Sequence, residues 1–357
     1  MALPMNNLAH VNAVELTNLK VKLGTTDILQ DLSFNLAAGE ILCLLGPSGC
    51  GKTTALKALA GLITPQSGQI EVFGKTVFSD NNINVSAKQR SIGFIFQDYA
   101  LFPHMTIGQN IGYGLSELTN SDRQQRIEEA LSLVELSNFQ QRYPHELSGG
   151  QQQRIAVARA LAPKPQLILM DEPFSNIDGQ VKRRMMADLR TLLKSHNISC
   201  IFVTHAKEEA FAFADKTAVM TAGSIAQLDT PTKVFNQPKN LAVAHFMESG
   251  NLASLHHCQQ VLDKVDHQWP KDLDNSGYWL FKPQHLKVMR SRQNTGIHLL
   301  DTTYIGRGYQ YHINIQLDKN DASKSITWKA ESEHPFDLTI GDSLSLEYSQ
   351  SPHWLLN

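Results

Sequence analysis

The chain has 357 residues, 42% of them hydrophobic, and a formal net charge of −2 at pH 7. This length is too great for one ordinary domain and predicts two, while the near-balanced charge argues against the basic surface of a general nucleic-acid binder. The four cysteines form no C-x-x-C pair, which argues against a disulfide framework or a zinc cluster, and we expect neither a secretory leader nor a run of about 20 apolar residues that would span a bilayer.

Short apolar runs alternate with helical patterns in the first two thirds of the chain. The runs that predict buried strands are residues 40–45, 91–96, 166–170, 200–204 and 217–220. Such alternation is typical of an α/β fold with a largely parallel sheet. A helix-rich insert lies between these strands, and four of its apolar residues share one predicted helical face. They are Ile127, Ala130, Leu131 and Val134.

The sequence GPSGCGKTT follows the first of these apolar runs and precedes a helical pattern. Its spacing, G-x-x-x-x-G-K-T, predicts a phosphate-binding loop, although a glycine-rich turn with an incidental lysine would read the same in isolation. We expect Lys52 to neutralise the β- and γ-phosphates and Thr53 to place its hydroxyl on Mg²⁺. The predicted nucleotide-binding residues are Gly46, Pro47, Ser48, Gly49, Cys50, Gly51, Lys52, Thr53 and Thr54.

The stretch LSGGQQQR, residues 147–154, stands ahead of the apolar helical pattern IAVARALA. We expect Ser148 to cap the helix, whose N-terminus favours an anion. No lysine lies in the stretch to hold a phosphate. It therefore predicts only part of an anion site.

Polar residues follow three of the predicted strands. Asp171 is placed to hold Mg²⁺ next to Thr53, and Glu172 is placed to polarise an attacking water. His205 would hydrogen bond to the γ-phosphate or that water, and the amide of Gln97 would meet Mg²⁺ or water. The alternatives are a solvated acidic pair and a structural histidine.

Beyond residue 238 the chain becomes strand-rich. Period-2 alternation at 309–317 and 343–348 predicts half-buried strands of a small β-barrel or sandwich. The domain prediction is 1–238, with a helical subdomain at about 98–160, then a linker at 239–250 and a β-rich domain at 251–357. His256, His257 and Cys258 offer a metal site, but three adjacent residues are poor chelate geometry, which favours a solvated loop.

Together and in this order, these motifs resemble those of the ATP-binding subunit of an ABC transporter. The LSGGQ pentapeptide is specific to that superfamily, and the resemblance covers about residues 14–238. It implies a P-loop RecA-like ATPase domain with a helical subdomain. ATP and Mg²⁺ are the implied substrate and metal.

The resemblance also assigns roles to single residues. Gln97 matches the Q-loop glutamine, and Asp98–Met105 beside it correspond to residues that face the permease in this family. The other matches are Ser148, Gly149, Gly150 and Gln151 in the signature, Asp178 in the D-loop and His205 as the switch histidine. Two positions depart from the family pattern. Leu23 stands about where an aromatic residue commonly stacks on adenine, and Asn176 replaces the alanine of a common SALD sequence.

A narrower resemblance concerns the importers whose ATPase carries a C-terminal β-rich TOBE-type domain. The sequence LFKPQHLKVM is similar to a strand of that domain, with Lys282 and Pro283 retained and Gln284 in place of an acidic residue. Within this branch the chain looks most like the ferric-iron importer ATPases. Polyamine, molybdate, phosphonate and sugar importer ATPases share most of the motifs and remain alternatives.

The resemblance further implies where the protein works and with which partners. One chain contains one phosphate loop and one signature, so two copies would pair head to tail, with Lys52 of one facing Ser148 of the other. The implied partners are membrane permease subunits and, through them, a periplasmic or extracellular solute-binding protein, with no nucleic acid. The implied place is the cytoplasmic face of the inner membrane, as a peripheral subunit.

Two other classes of protein compete with this interpretation. A soluble ABC ATPase that acts on ribosomes or DNA would commonly have two cassettes in one chain or a long coiled coil, and the sequence has neither. An unrelated P-loop kinase or GTPase leaves LSGGQ unexplained. The C-terminal domain has two candidate roles, which are a larger homodimer interface and the sensing of a ligand.

Overall fold

A computed structural model describes residues 12–175, 177, 179–254, 277–318, 321–349 and 353–355. The chain divides into two compact units, Met1–Thr232 and Lys233–Asn357. Several residues discussed above lie outside the described ones. They are Asn176, Asp178, His256, His257 and Cys258. None of the helices in the described part of the chain is long and apolar enough to cross a bilayer.

The first unit contains two sheets. Their strands are β1 Asn12–Leu23, β2 Thr26–Ala37, β3 Ile41–Leu45, β4 Ser67–Val72, β5 Lys75–Ser79, β6 Ile83–Asn84, β7 Ile92–Ile95, β8 Leu167–Asp171, β9 Ser199–Thr204, β10 Lys216–Thr221 and β11 Ser224–Asp229. One sheet is antiparallel, with the order β2-β1-β4-β5-β6, and the other has the order β11-β10-β3-β9-β8-β7.

The second sheet is parallel except for its edge strand β11, which confirms the largely parallel sheet expected from the apolar runs. Every residue of β3, β8 and β9 is buried. Because both faces of these strands are covered, their sequences are continuous apolar runs and do not alternate. Parallel strands end at the same edge, so the residues that follow β3, β7, β8 and β9 gather there.

Helices of the first unit join these strands. They are α1 Lys52–Ala60, α2 Ile107–Gly112, α3 Asn120–Leu133, α4 Gly149–Leu161, α5 Gly179–Ser195 and α6 Lys207–Phe213. Helices α2, α3 and α4 pack on one another within the predicted insert. The predicted face of α3 is confirmed, since Ile127, Ala130 and Leu131 are buried, as is Val134 just after the helix.

The second unit is β-rich, as expected. Helix α7, Pro231–Asn236, begins at the boundary, and α8, Leu241–Met247, lies inside the segment predicted to be a linker. The Asn240 side chain caps α8 by accepting a hydrogen bond from the Val243 amide at 3.0 Å. The strands are β12 Asn251–Ser254, β13 Tyr278–Phe281, β14 Leu286–Arg290, β15 Ile297–Tyr304, β16 Tyr309–Asp318, β17 Asp321–Ser332, β18 Leu344–Tyr348 and β19 His353–Leu355.

Aromatic and branched side chains fill the core of this unit. Trp328 is 1% exposed, and its ring lies 4.6 Å from the ring of Phe281. On β16, Tyr311, Ile313 and Ile315 are buried while the residues between them are only partly buried. The alternation predicted at 309–317 is therefore confirmed.

Candidate nucleotide site

A tight loop joins β3 to α1 and begins the site. A Cβ at Gly46 would lie 2.4 Å from the carbonyl oxygen of Met220, so a side chain does not fit there. Gly51 has a φ of 103°, in the left-handed region that favours glycine. These two glycines let the backbone fold closely ahead of α1. The amides at the start of that helix can therefore face an anion.

Lys52 occupies the centre of this loop. Its side chain is 7% exposed, and its Nζ donates to the carbonyl oxygens of Gly46 at 2.8 Å and Pro47 at 2.9 Å. Its Nζ also lies 3.8 Å from the Sγ of Cys50. Because a carbonyl oxygen carries no net charge, the ammonium charge of Lys52 remains available to pair with phosphate oxygens.

Thr53 and Asp171 meet across the sheet edge. The Thr53 hydroxyl donates to Asp171 Oδ1 at 2.8 Å, and Asp171 is 6% exposed at the end of β8. Burial raises the pKa of Asp171, and the Thr53 hydrogen bond and the charges of Lys57 and Lys52 oppose that rise. A hydroxyl and a carboxylate are hard oxygen donors of the kind that Mg²⁺ prefers, so this pair fits that ion.

Glu172 joins the polar residues that follow the neighbouring strands. Its Oε2 accepts from Gln97 Nε2 at 3.2 Å, and its Oε1 lies 3.2 Å from His205 Nδ1. Its φ of 45° is unusual for a residue other than glycine, and its amide donates to Val203 at 3.0 Å. Backbone strain of this kind is found at functional sites. The structure thus brings Gln97, Glu172 and His205 together, while Asp171, the fourth residue that the sequence predicted at these strand ends, meets Thr53.

The signature residues form the first turn of α4. Ser148 is the N-cap, and its side chain accepts from the Gln151 amide while the Gln151 side chain accepts from the Ser148 amide at 3.0 Å. This capping box confirms the cap predicted for Ser148. Ser148, Gly150 and Gln151 line a cavity of about 570 Å³ together with Arg154 and Arg184.

The lining of that cavity contains no residue of 46–54. The signature and the phosphate loop of one chain therefore do not share this cavity. Leu23 is 46% exposed at the end of β1. Asp178 lies outside the described residues, so the structure describes no contact for it.

Two residues that sequence reasoning missed hold the segment after Gln97. Arg159 on α4 donates to the carbonyl oxygens of Tyr99 at 2.7 Å and Ala100 at 2.6 Å. The fully buried Asn110 accepts from the Phe102 amide at 2.8 Å and donates to three carbonyl oxygens of the same segment. An isolated charge within the apolar pattern IAVARALA was the available signal for Arg159.

Comparisons with known proteins were consistent with one another. A family model described as ABC transporter matches residues 29–175. The chain is 41% identical over 266 residues to the Fe(3+) ions import ATP-binding protein FbpC of Escherichia coli O157:H7. This alignment covers 74% of this chain and 75% of that protein. It is 37% identical over 297 residues to the Fe(3+) ions import ATP-binding protein FbpC 2 of Haemophilus influenzae. This alignment covers 81% of this chain and 83% of that protein.

A solved structure is also similar to the chain. The dimeric post-hydrolysis structure of the ATP-binding cassette MJ0796 bound to ADP and Pi superposes with a TM-score of 0.54 and 30% sequence identity. The match covers 61% of this chain and 98% of that chain.

Proposed function

The chain belongs to the ABC transporter family of ATP-binding proteins, and we propose that it hydrolyses ATP to drive the import of ferric iron through a membrane permease. The observation that carries this proposal is that Asp171 meets Thr53 of the phosphate loop, while the next residue, Glu172, contacts Gln97 and His205. The names of the relatives support ferric iron as the cargo.

In the proposed reaction, the loop amides and Lys52 bind the phosphates of ATP. Thr53, Asp171 and Gln97 would hold Mg²⁺, which supplies positive charge against the β- and γ-phosphate oxygens. The carboxylate of Glu172 accepts a proton from water as the water oxygen attacks the γ-phosphorus and ADP leaves. His205 and Gln97 hold that carboxylate in place and orient the water.

A second copy of the chain would complete each site. The separation of the signature from the phosphate loop supports a head-to-tail dimer in which Ser148, Gly149, Gly150 and Gln151 of one copy face the nucleotide held by Lys52 of the other. Asp178 would lie at the same interface. The likeness to a dimeric cassette with bound ADP and Pi supports this arrangement. ATP binding then closes the dimer, and hydrolysis with phosphate release opens it.

The remaining parts of the proposal concern partners and domain roles. Asp98–Met105 would face the permease at the cytoplasmic side of the inner membrane, and a periplasmic or extracellular solute-binding protein would deliver the cargo. We divide the chain into a nucleotide-binding domain at 1–238, a linker at 239–250 and a TOBE-like domain at 251–357. The TOBE-like domain would enlarge the homodimer interface.

Two substitutions test the ATPase. Glu172→Gln should lower turnover by about 100-fold or more because the amide is not a base, while ATP binding is retained and a closed dimer accumulates. Ser148→Arg should abolish turnover without unfolding the chain, because the longer side chain blocks the facing phosphate. Near-normal turnover of Glu172→Gln would reject its role as the base, and activity of Ser148→Arg would reject the shared site.

The cargo needs a transport assay. The chain would be reconstituted with its permease and solute-binding protein, and ATP-dependent uptake of ferric iron would be compared with that of a polyamine, molybdate, a phosphonate and a sugar. Uptake of one of these solutes in place of iron would reject iron as the cargo while leaving the ATPase intact.

A further inference from the structure

Two exposed aromatic rings lie shortly before the signature and take no part in the proposed reaction. Tyr143 and His145 stack on each other, with ring centroids 5.7 Å apart and an angle of 17° between the ring planes. Tyr143 is 40% exposed, and His145 is exposed as well. A flat aromatic surface that is open to solvent can stack with a planar ligand such as a nucleobase.

The backbone around the two rings is fixed to the signature helix α4. Pro144–Glu146 form a short 3₁₀ turn, and the Tyr143 amide donates to Glu146 Oε2 at 2.6 Å. From α4, the Gln152 side chain donates to the carbonyl oxygen of Pro144 at 3.0 Å. These bonds hold the turn that carries the rings against the helix that Ser148 caps.

The rings also lie within reach of a nucleotide that meets the signature. His145 stands three residues ahead of Ser148, and three residues span at most about 11 Å. In the proposed dimer, Ser148 faces the nucleotide that the other copy holds. The ribose and two further phosphates separate adenine from the γ-phosphate, so the base can lie over the rings while the γ-phosphate lies at Ser148.

The hairpin of β1 and β2 beside the phosphate loop offers no aromatic ring. It reaches the loop, since a Cβ at Gly51 would lie 3.1 Å from the carbonyl oxygen of Ile28. Residues 12–33 contain no phenylalanine, tyrosine, tryptophan or histidine, and Phe34 is buried. Leu23, at the end of β1, is 46% exposed and presents an aliphatic surface. An adenine beside this hairpin would therefore find no ring to stack on in this part of its own chain.

We propose that Tyr143 and His145 of one copy form the stacking surface for the adenine of the ATP that Lys52 of the other copy holds. Adenine then lies between Leu23 of the copy that holds it and the two rings of the second copy. The inference rests on the proposed head-to-tail dimer. It adds recognition of the base to the signature side of the shared site, so that the base is fully bound only when the dimer closes.

The first experiment measures ATP occlusion in the full chain with Glu172→Gln, which should close on ATP without hydrolysing it. The probe is radiolabelled ATP that stays bound during rapid gel filtration. Tyr143→Ala should raise the ATP concentration for half-maximal occlusion by about 5- to 30-fold, because a stack between base and ring is lost. His145→Ala should act in the same direction. Tyr143→Phe keeps the ring and should stay within about 2-fold of Glu172→Gln alone.

The second experiment separates a contact between copies from an effect within one chain. In Ser148→Arg the signature side of the shared site is blocked, so ATP binds to the phosphate loop alone. Adding Tyr143→Ala should then change the dissociation constant for ATP by less than about 2-fold, because no ring of another copy reaches the base. An effect of Tyr143 on folding, or on the phosphate loop of its own chain, would weaken ATP binding in Ser148→Arg as well.

The third experiment supplies a ring from the other side of the base. Leu23→Tyr places an aromatic side chain in the copy that holds ATP. In the chain with Glu172→Gln and Tyr143→Ala it should bring the ATP concentration for half-maximal occlusion back to within about 3-fold of Glu172→Gln alone. Leu23→Val adds no ring and is the matched control, which should recover nothing.

Two results would overturn the inference. One is half-maximal occlusion at the same ATP concentration with and without Tyr143→Ala. The other is an equal loss of ATP affinity on adding Tyr143→Ala to Ser148→Arg, since the residue would then act within its own chain. In either case the unsubstituted chain would still hydrolyse ATP, whereas failure of the proposed function would show as a lack of ATPase activity in the unsubstituted chain itself.

Discussion

Arg159 joins the signature helix α4 to the segment after Gln97. Its removal should lower the stability of the first unit and the rate of ATP hydrolysis. The side chain donates to the carbonyl oxygens of Tyr99 and Ala100, at 2.7 and 2.6 Å. Both acceptor residues have a positive φ, 61° and 45°, so the segment relies on outside contacts to keep its shape. Arg159→Met keeps most of the aliphatic stem and removes only the two donors and the charge.

The expected loss of stability follows from these two bonds. Hydrogen bonds to charged groups contribute about 1.5–3 kcal/mol each, or about 3–6 kcal/mol for the pair. Burial lowers the pKa of the Arg159 guanidinium, which reflects a desolvation cost that methionine removes, so we expect a net loss of about 2–4 kcal/mol. For a unit of this size, each kcal/mol lowers the melting temperature by about 2–4 °C, which predicts a decrease of about 4–16 °C.

Two spectroscopic signals would follow the two units in one urea titration. Helices α1 to α6 lie in the first unit and dominate far-UV circular dichroism, while all four tryptophans lie in the second unit. The dichroism transition of Arg159→Met should move to lower urea, and turnover should fall because Gln97 loses its support. The lysine of Arg159→Lys can donate to one carbonyl oxygen at a time. The urea midpoint of this variant should therefore lie between those of Arg159→Met and the unsubstituted chain. If Arg159→Met lowers the free energy of unfolding by less than about 0.5 kcal/mol, the reasoning is refuted, because water would then replace the guanidinium at no cost.

Two further predictions concern carboxylates of the first unit, the buried Asp171 and the partly buried Asp215. Asp171→Asn should raise the free energy of unfolding at neutral pH by about 1 kcal/mol while abolishing Mg²⁺-dependent turnover, because it removes a charge from a site that evolved for binding. Because burial raises the pKa of Asp171, the aspartate becomes neutral as the pH falls, and the stability advantage of Asp171→Asn should then shrink. Urea titrations at several pH values would measure this trend. A lower stability of Asp171→Asn than of the unsubstituted chain at neutral pH would contradict the prediction. Asp215→Asn should instead lower the free energy of unfolding at neutral pH. Burial raises the pKa of Asp215, but hydrogen bonds from Lys194, the Ile41 amide and Arg190 outweigh it and lower the pKa below the usual value of 3.8. The aspartate therefore stabilises the fold above that value, and the stability difference from Asp215→Asn should vanish in acid as the pH falls through the lowered pKa; a difference independent of pH would refute this.

Local sequence determined the elements that hold the site. The buried strands were predictable because strands covered on both faces need continuous apolar runs. The phosphate loop was predictable because a tight turn ahead of a helix needs glycines at fixed spacing, as Gly46 and Gly51 illustrate. The cap at Ser148 followed from its position before a helical pattern, since capping depends on the next three residues only.

Contacts between distant residues were not readable in the same way. Asn110 and Arg159 resemble ordinary helix residues until the structure shows which carbonyl oxygens they bind. Lys182 and Glu209 are 27 residues apart, and nothing in their spacing indicates an ion pair. The helix α8 within 239–250 also escaped prediction, because its seven residues are too few for a clear periodic pattern.

The sequence alone thus determined which chemical groups follow each strand and therefore which reaction the chain is equipped for. Only the tertiary structure decided how those groups meet, with Glu172 between Gln97 and His205 and with Thr53 against Asp171. The physical reason is that strand and turn preferences act over a few neighbouring residues. The order of strands in the sheet, which brings residues 75 and 118 positions apart within 3.2 Å and 2.8 Å, results from packing of the whole unit.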